Sequence, residues 1–236
     1  MRDVDLLIFD LDGTLVDTAS EIADTVNDVL SEAGLSAQEP ARIRGWIGHG
    51  ARTTLRRALL AQPDNYADRI DIDALLGPLM RRFDFFHTRR CGTSSELFPG
   101  VRETLDALRG RGQCMALLTN KEARFTAQVL RRHELRGYFG PAISGDSLDQ
   151  RKPSAIPVKH CVDWHGARAE RTVLIGDSGV DAQTARNAGI AFWAVPYGYN
   201  GVTPVEHTKP DRLLSHFGEL LQLIAPRVSA PSTGAA

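Results

Sequence analysis

Val4-Asp5-Leu6-Leu7-Ile8-Phe9-Asp10-Leu11-Asp12-Gly13-Thr14-Leu15-Val16-Asp17-Thr18 decides how the rest of this chain is read. A nearly unbroken apolar run of this length predicts a strand covered on both faces, as in a parallel sheet. The run ends in two carboxylates two residues apart, followed by glycine and threonine. In an extended chain both acids lean to the same side. Neighbouring anions raise each other's proton affinity unless a cation lies between them or they do paired acid–base work.

Working outward, Thr18 and Glu21 have the spacing of a capping box, and Ile22, Val26 and Leu30 then mark one face of a helix that Gly34 can stop. From there to about Glu96 the patterns are helical. Leu55, Leu59 and Leu60 make one apolar face, and Leu75, Leu76, Leu79, Met80 and Phe83 make another. Pro40, Pro63 and Pro78 punctuate the segment. Strand–helix alternation resumes at Phe98-Pro99-Gly100. Apolar strands Cys114–Leu118, Ala142–Ser144 and Thr172–Ile175 end respectively in Thr119-Asn120-Lys121, Gly145-Asp146 and Gly176-Asp177-Ser178-Gly179-Val180-Asp181. Ile190–Val195 supplies one more strand. Repeated βα units predict an α/β protein with a Rossmann-like, doubly wound parallel sheet whose reactive groups gather at the carboxyl ends of the strands. The expected division is an α/β core of residues 1–17 and 97–225, an inserted α-helical domain of residues 18–96, and a disordered tail of residues 226–236.

The chain has 236 residues, 42% hydrophobic and 24% charged, with a formal net charge of -1, so it offers no bulk attraction to nucleic acid or to an anionic membrane. Cys91, Cys114 and Cys161 fit neither a disulfide framework nor a zinc spacing, which points to a reducing compartment and a cytoplasmic location. No apolar run reaches the roughly 20 residues of a membrane-spanning helix. No nucleic-acid or membrane partner is expected, and the protein is expected as a monomer or homodimer.

Asp10, Asp12, Thr119, Lys152, Asp177 and Asp181 are thereby expected at one sheet edge. Carboxylates without cysteine or histidine favour a hard cation such as Mg²⁺. A lysine and hydroxyl or amide donors beside them suit a phosphate group. One carboxylate in line with phosphorus can serve as nucleophile and a second can move protons. Singly, each residue has an ordinary structural reading as a turn acid, a helix cap or a solvated lysine. The ordered combination does not.

That combination resembles the haloacid dehalogenase superfamily of hydrolases, through Asp10-Leu11-Asp12-Gly13-Thr14, Thr119-Asn120, Lys152-Pro153 and Gly176-Asp177-Ser178-Gly179-Val180-Asp181, in that order. The resemblance implies that Asp10 is the nucleophile and Asp12 the general acid/base. It places Mg²⁺ on the Asp10 carboxylate, the Asp12 carbonyl and Asp177, with Asp181 behind them. Thr119 and Asn120 would bind phosphate, and Lys152 would order both Asp10 and the phosphate. The helical insertion corresponds to a small cap that closes over the site. The resemblance also implies a small phosphorylated acid or sugar as the partner. Arg44-Gly45-Trp46-Ile47-Gly48-His49-Gly50-Ala51, Leu118-Thr119-Asn120-Lys121, Phe98-Pro99-Gly100-Val101 and Tyr197-Gly198-Tyr199 resemble the members acting on 2-phosphoglycolate, whereas Glu122 and Ser154-Ala155-Ile156-Pro157 depart from them. Arg44 and His49 are then expected to meet the substrate's distal anion, with Arg52 a weaker candidate and Lys121 near the cleft. Sugar-phosphate or pyrophosphate hydrolysis, phosphosugar mutation and a noncatalytic binding role are the competing readings.

Overall fold

The computed structural model describes residues 3–63, 66, 70–201 and 203–226; the expected tail lies outside them except for Pro226. Strands β1 (Leu6–Phe9), β4 (Cys114–Leu118), β5 (Ala142–Ile143), β6 (Thr172–Gly176), β7 (Ala191–Ala194) and β8 (Arg212–Leu213) form a parallel sheet in the order β5-β4-β1-β6-β7-β8. The opening apolar run is the inner strand, pairing Leu6 with both Cys114 and Thr172. All four of its side chains are fully buried because both faces are covered. Leu7 and Phe9 join an apolar layer with Leu105, Leu117, Ile175 and Trp193. Leu6 and Ile8 join the opposite layer with Leu118, Val158, Leu174 and Phe192. The alternation follows the two-residue period of a strand.

Helices α5 (Val101–Gly110), α6 (Ala123–Arg132), α7 (Ile156–His165) and α8 (Gly179–Ala188) follow the strands, and a short α9 (Leu220–Leu223) closes the described chain. The helical insertion comprises α1 (Ala19–Glu32), α2 (Pro40–Arg44), α3 (Ala51–Leu60) and α4 (Ile72–Arg90). It leaves and re-enters through a two-stranded antiparallel ribbon, β2 (Val16–Asp17) with β3 (Glu96–Leu97). These strands are too short to leave an alternating pattern in the sequence. Ile22, Val26 and Leu30 are buried as their spacing predicts, but Leu60 is exposed, so the α3 face narrows to Leu55 and Leu59. Pro78 does not break the chain: α4 runs through it, its exposed ring tolerated because packing against α1 and α3 holds the helix. No helix among the described residues is long and apolar enough to cross a membrane.

The predicted capping box at α1 does not form. Thr18 is the N-cap residue but makes no side-chain cap. Its hydroxyl instead donates to Asp12 Oδ1 at 2.7 Å. The Glu21 carboxylate, fully buried, accepts from the main-chain N–H groups of Gly92, Ser94 and Ser95 at 2.9, 2.7 and 2.9 Å. One side chain thus ties the start of the insertion to its return. Glu21→Ala would leave three N–H donors without their acceptor, and each buried unsatisfied donor costs about 1–3 kcal/mol. The expected loss in denaturant-measured stability is about 3 kcal/mol or more, with Glu21→Gln losing less because it keeps an acceptor.

Candidate active site

Asp10 continues β1, its N–H donating to Ile175 O at 3.0 Å, and its side chain is buried at the sheet's carboxyl edge. Lys152 Nζ stands 2.8 Å from Asp10 Oδ1 and 2.7 Å from Asp181 Oδ1. The Lys152 ammonium is thus shared between the two buried carboxylates, and Asp10 Oδ1 has it as its charged partner. Asp181 is more fully committed. Its Oδ2 accepts from the Ser178 hydroxyl at 2.6 Å and from the Ser178 N–H at 3.2 Å, and the latter, with the Asp181 N–H donating to Ser178 Oγ at 3.4 Å, forms the capping box that starts α8. Asp181 therefore caps a helix and positions Lys152 with the same carboxylate.

Asp177 sits behind Asp10, accepting from the Thr14 hydroxyl at 3.1 Å and the Tyr199 N–H at 2.5 Å. A side chain at Gly13, where φ is +85°, or at Gly198 would collide with this carboxylate, so both loops can close around it only as glycine. One oxygen from each of Asp10, Asp177 and Asp181 lies within 4.8 Å of the others. Burial foremost, then the mutual repulsion of these acids, raises the proton affinity of Asp10 and Asp177; for Asp10 the Lys152 ammonium opposes the rise. The same ammonium is itself held protonated well above the usual lysine value, burial notwithstanding, by Asp10 and Asp181.

Asp12 faces a different set of partners. Beside the Thr18 hydroxyl, Lys121 Nζ approaches its two carboxylate oxygens at 3.0 and 3.2 Å. Lys121 is buried, and its main-chain N–H donates to Thr119 Oγ1 at 3.3 Å. Thr119 is buried beside it. The Asn120 amide reaches across the molecule, donating to Gly48 O at 2.9 Å and Lys152 O at 3.1 Å. That amide links the insertion to the Lys152 loop, with Asn120 lining the cavity beside Thr119. Thr18 and Thr14 are contributors the sequence left without a role in the site, and Lys121, expected near the cleft, contacts Asp12 directly.

Between these groups and the insertion lies a small cavity of about 30 Å³, lined by Asp10, Asp12 and Lys121 from the core and Ile47, Phe83 and His87 from the insertion. The Thr25 hydroxyl donates to Glu21 O at 2.7 Å, so His87 Nδ1–H is the donor in its 3.0 Å contact with Thr25 Oγ1. Burial foremost, with Lys121, Arg90 and Arg124 adding repulsion, pushes the His87 pKa down to about 2. The unfolded imidazole binds a proton below about 6.5, whereas the folded one does not until near 2. Stability from this group is thus complete above pH 6.5 and is lost as pH falls below it. Between pH 4.5 and 6, His87→Phe is expected to lose stability less steeply than the wild type, by about 1.4 kcal/mol per pH unit in urea titrations.

Arg44 and His49, expected to meet the substrate's distal anion, both stand outside the wall of the Asp10 cavity. Arg44 Nη2 donates to Tyr197 O at 3.2 Å, its Nη1 is 3.8 Å from Asp17 Oδ2, and its guanidinium covers the Tyr199 ring at 4.8 Å. It braces the junction, outside the wall of the Asp10 cavity, because the Tyr197-Gly198-Tyr199 loop offers it carbonyls and an aromatic face. His49 lines a separate open cleft with Arg57 and Ser178, and Arg52 is exposed.

The chain matches the family model described as haloacid dehalogenase-like hydrolase over residues 7–195. It is 36% identical to a protein of Nitrosospira multiformis named phosphoglycolate phosphatase, across 92% of this chain and 94% of that one. With a protein of the same name from Vibrio parahaemolyticus it shares 32% identity over 95% of this chain and 97% of the other. A crystal structure of a predicted phosphoglycolate phosphatase from Haemophilus somnus superposes with a TM-score of 0.88 at 30% identity, covering 94% of this chain and 99% of that one.

Proposed function

Because the chain belongs to the haloacid dehalogenase-like hydrolases, we propose that it hydrolyses 2-phosphoglycolate to glycolate and phosphate through an aspartyl-phosphate at Asp10. The observation that carries this reading is the buried Asp10 carboxylate. It is held by Lys152 at 2.8 Å and opens on the cavity that Asp12 shares. Residues 18–96 act as the cap, and residues 1–17 with 97–225 as the catalytic core.

The residues fit a divalent cation. Three buried acids converge with one ammonium between two of them, and the donors are all hard oxygens. Asp10, Asp177 and the Asp12 carbonyl would hold Mg²⁺, with Asp181 positioning Lys152. Bound there, Mg²⁺ would offset the charge of Asp10 and of the nontransferring phosphate oxygens.

Asp10 attacks phosphorus, forming a carboxyl–phosphorus bond as the bond to the glycolate oxygen breaks. Asp12 gives its proton to that oxygen, then takes one from the water that attacks the same phosphorus and frees Asp10. Lys152 holds the attacking carboxylate and faces the developing negative charge, and the Thr119 hydroxyl donates to a phosphate oxygen. The Asn120 link from Gly48 to the Lys152 loop lets cap closure and assembly of the phosphate site occur together.

A panel of 2-phosphoglycolate, sugar phosphates, pyrophosphate and nucleotides, assayed with Mg²⁺ and with chelator, tests the reading. The expected result is the highest kcat/KM on 2-phosphoglycolate and loss of turnover on chelation. Tenfold better turnover of a sugar phosphate, or transfer to a second sugar hydroxyl without net phosphate release, would overturn it.

A further inference from the structure

Lys121 is the only cationic side chain on the wall of the Asp10 cavity among the described residues, where it faces three acids, Asp10, Asp12 and Glu122. An ammonium carries three N–H donors. Among the described residues its only side-chain partner is Asp12, whose two oxygens account for two of them. Its side chain is 4% exposed, so the third donor cannot be satisfied by bulk water. A buried ammonium on the wall of this cavity, beside the acidic site, is placed to take an anionic partner there.

The neighbours fix where that partner must lie. Lys121 Nζ touches the acid proposed to protonate the leaving oxygen, and its main chain holds the hydroxyl of Thr119, proposed to bind the phosphate. An anion meeting Lys121 is therefore beside the bridging oxygen. A short acid carries its carboxylate there, next to the carbon that bears the ester oxygen. A longer or neutral leaving group brings either no charge or a charge elsewhere. Arg44 and His49 do not line this cavity, so neither can substitute.

We propose that Lys121 is the specificity-determining residue that binds the carboxylate of the substrate's leaving group, selecting phosphate esters of small 2-hydroxy acids over uncharged ones. The proposal rests on the phosphoglycolate reading above. On binding, the substrate carboxylate takes the third N–H of Lys121 while Thr18 continues to hold Asp12. Ile47 and Phe83 on the far wall offer the anion no charged partner.

The test compares kcat/KM on 2-phosphoglycolate and on ethyl phosphate, which keeps the two-carbon ester and lacks the carboxylate, for the wild type, Lys121→Met and Lys121→Arg. A charge-assisted hydrogen bond in a buried site implies that the ratio of the two falls roughly 10- to 100-fold in Lys121→Met. Lys121→Arg, which keeps the charge, should retain most of the ratio. Using a ratio removes any general loss from the altered Asp12 environment, and thermal melting of each variant checks folding. Equal losses on both esters in Lys121→Met, leaving the ratio within threefold of the wild type, would overturn the proposal and leave Lys121 a support for Asp12. Failure of the phosphoglycolate reading is visible separately, as a wild type that does not prefer 2-phosphoglycolate to ethyl phosphate.

Discussion

Asp10→Asn is expected to lower phosphate release from 2-phosphoglycolate by at least about 10⁴-fold, the scale seen when a covalent nucleophile is removed. The amide is nearly the same size, so the sheet edge should fold as before, with Ile175 still accepting the residue 10 N–H. Its neutral oxygen is a poor nucleophile, and its pairing with Lys152 loses the ionic part. Because Asp12, Lys121 and Thr119 are untouched, substrate binding should survive better than turnover, so the loss should fall on kcat more than on KM. Rapid-quench assays with full-length protein check this. A residual rate within about tenfold of wild type would remove Asp10 from the reaction.

Lys152→Met is the second large effect, and it combines activity with stability. The lysine is almost wholly buried and bridges two buried carboxylates. Removing one partner of such a network leaves uncompensated charge, with a cost of about 3–5 kcal/mol. The shape-matched methionine cannot donate to Asp181, so the Ser178–Asp181 cap is left holding an acid with an empty side. Activity should fall about 10³-fold, because the attacking carboxylate and the phosphate both lose their fixed cation. Denaturation in chelator measures the stability term, and steady-state assay at saturating Mg²⁺ the catalytic one. Lys152→Met that folds with wild-type stability and turns over normally would contradict the geometry.

The legible part of the fold was the part built from long, covered strands. Leu6–Phe9, Cys114–Leu118 and Thr172–Gly176 are apolar enough that only a parallel interior position explains them, and their polar ends located Asp10, Thr119 and Asp177. The ribbon Val16–Asp17 with Glu96–Leu97 was not legible, because two residues per strand leave no period to detect. The same limit hid β8.

Within the site, residue identity was easier to read than residue direction. Thr18 and Glu21 have the spacing of a capping box, yet each makes a tertiary contact instead, with Asp12 and with the return linker. Local propensity gave way because a buried carboxylate with three donors outweighs one helix cap. Arg44 shows the converse. Its charge suggested a ligand, but nearby carbonyls and the Tyr199 ring compete for the guanidinium at the junction. Lys121 was legible as a residue near the cleft; that it would be buried against Asp12 depends on the packing of the β1 and β4 ends side by side.

The most direct test of the central claim is the stereochemical course at phosphorus. A chiral, oxygen-isotope-labelled thiophosphate ester of glycolate is hydrolysed in isotopically labelled water, and the configuration of the released thiophosphate is determined. Attack by Asp10 followed by attack of water is two in-line displacements and predicts retention. Inversion would mean that water attacks the substrate directly, and would contradict the aspartyl-phosphate at Asp10.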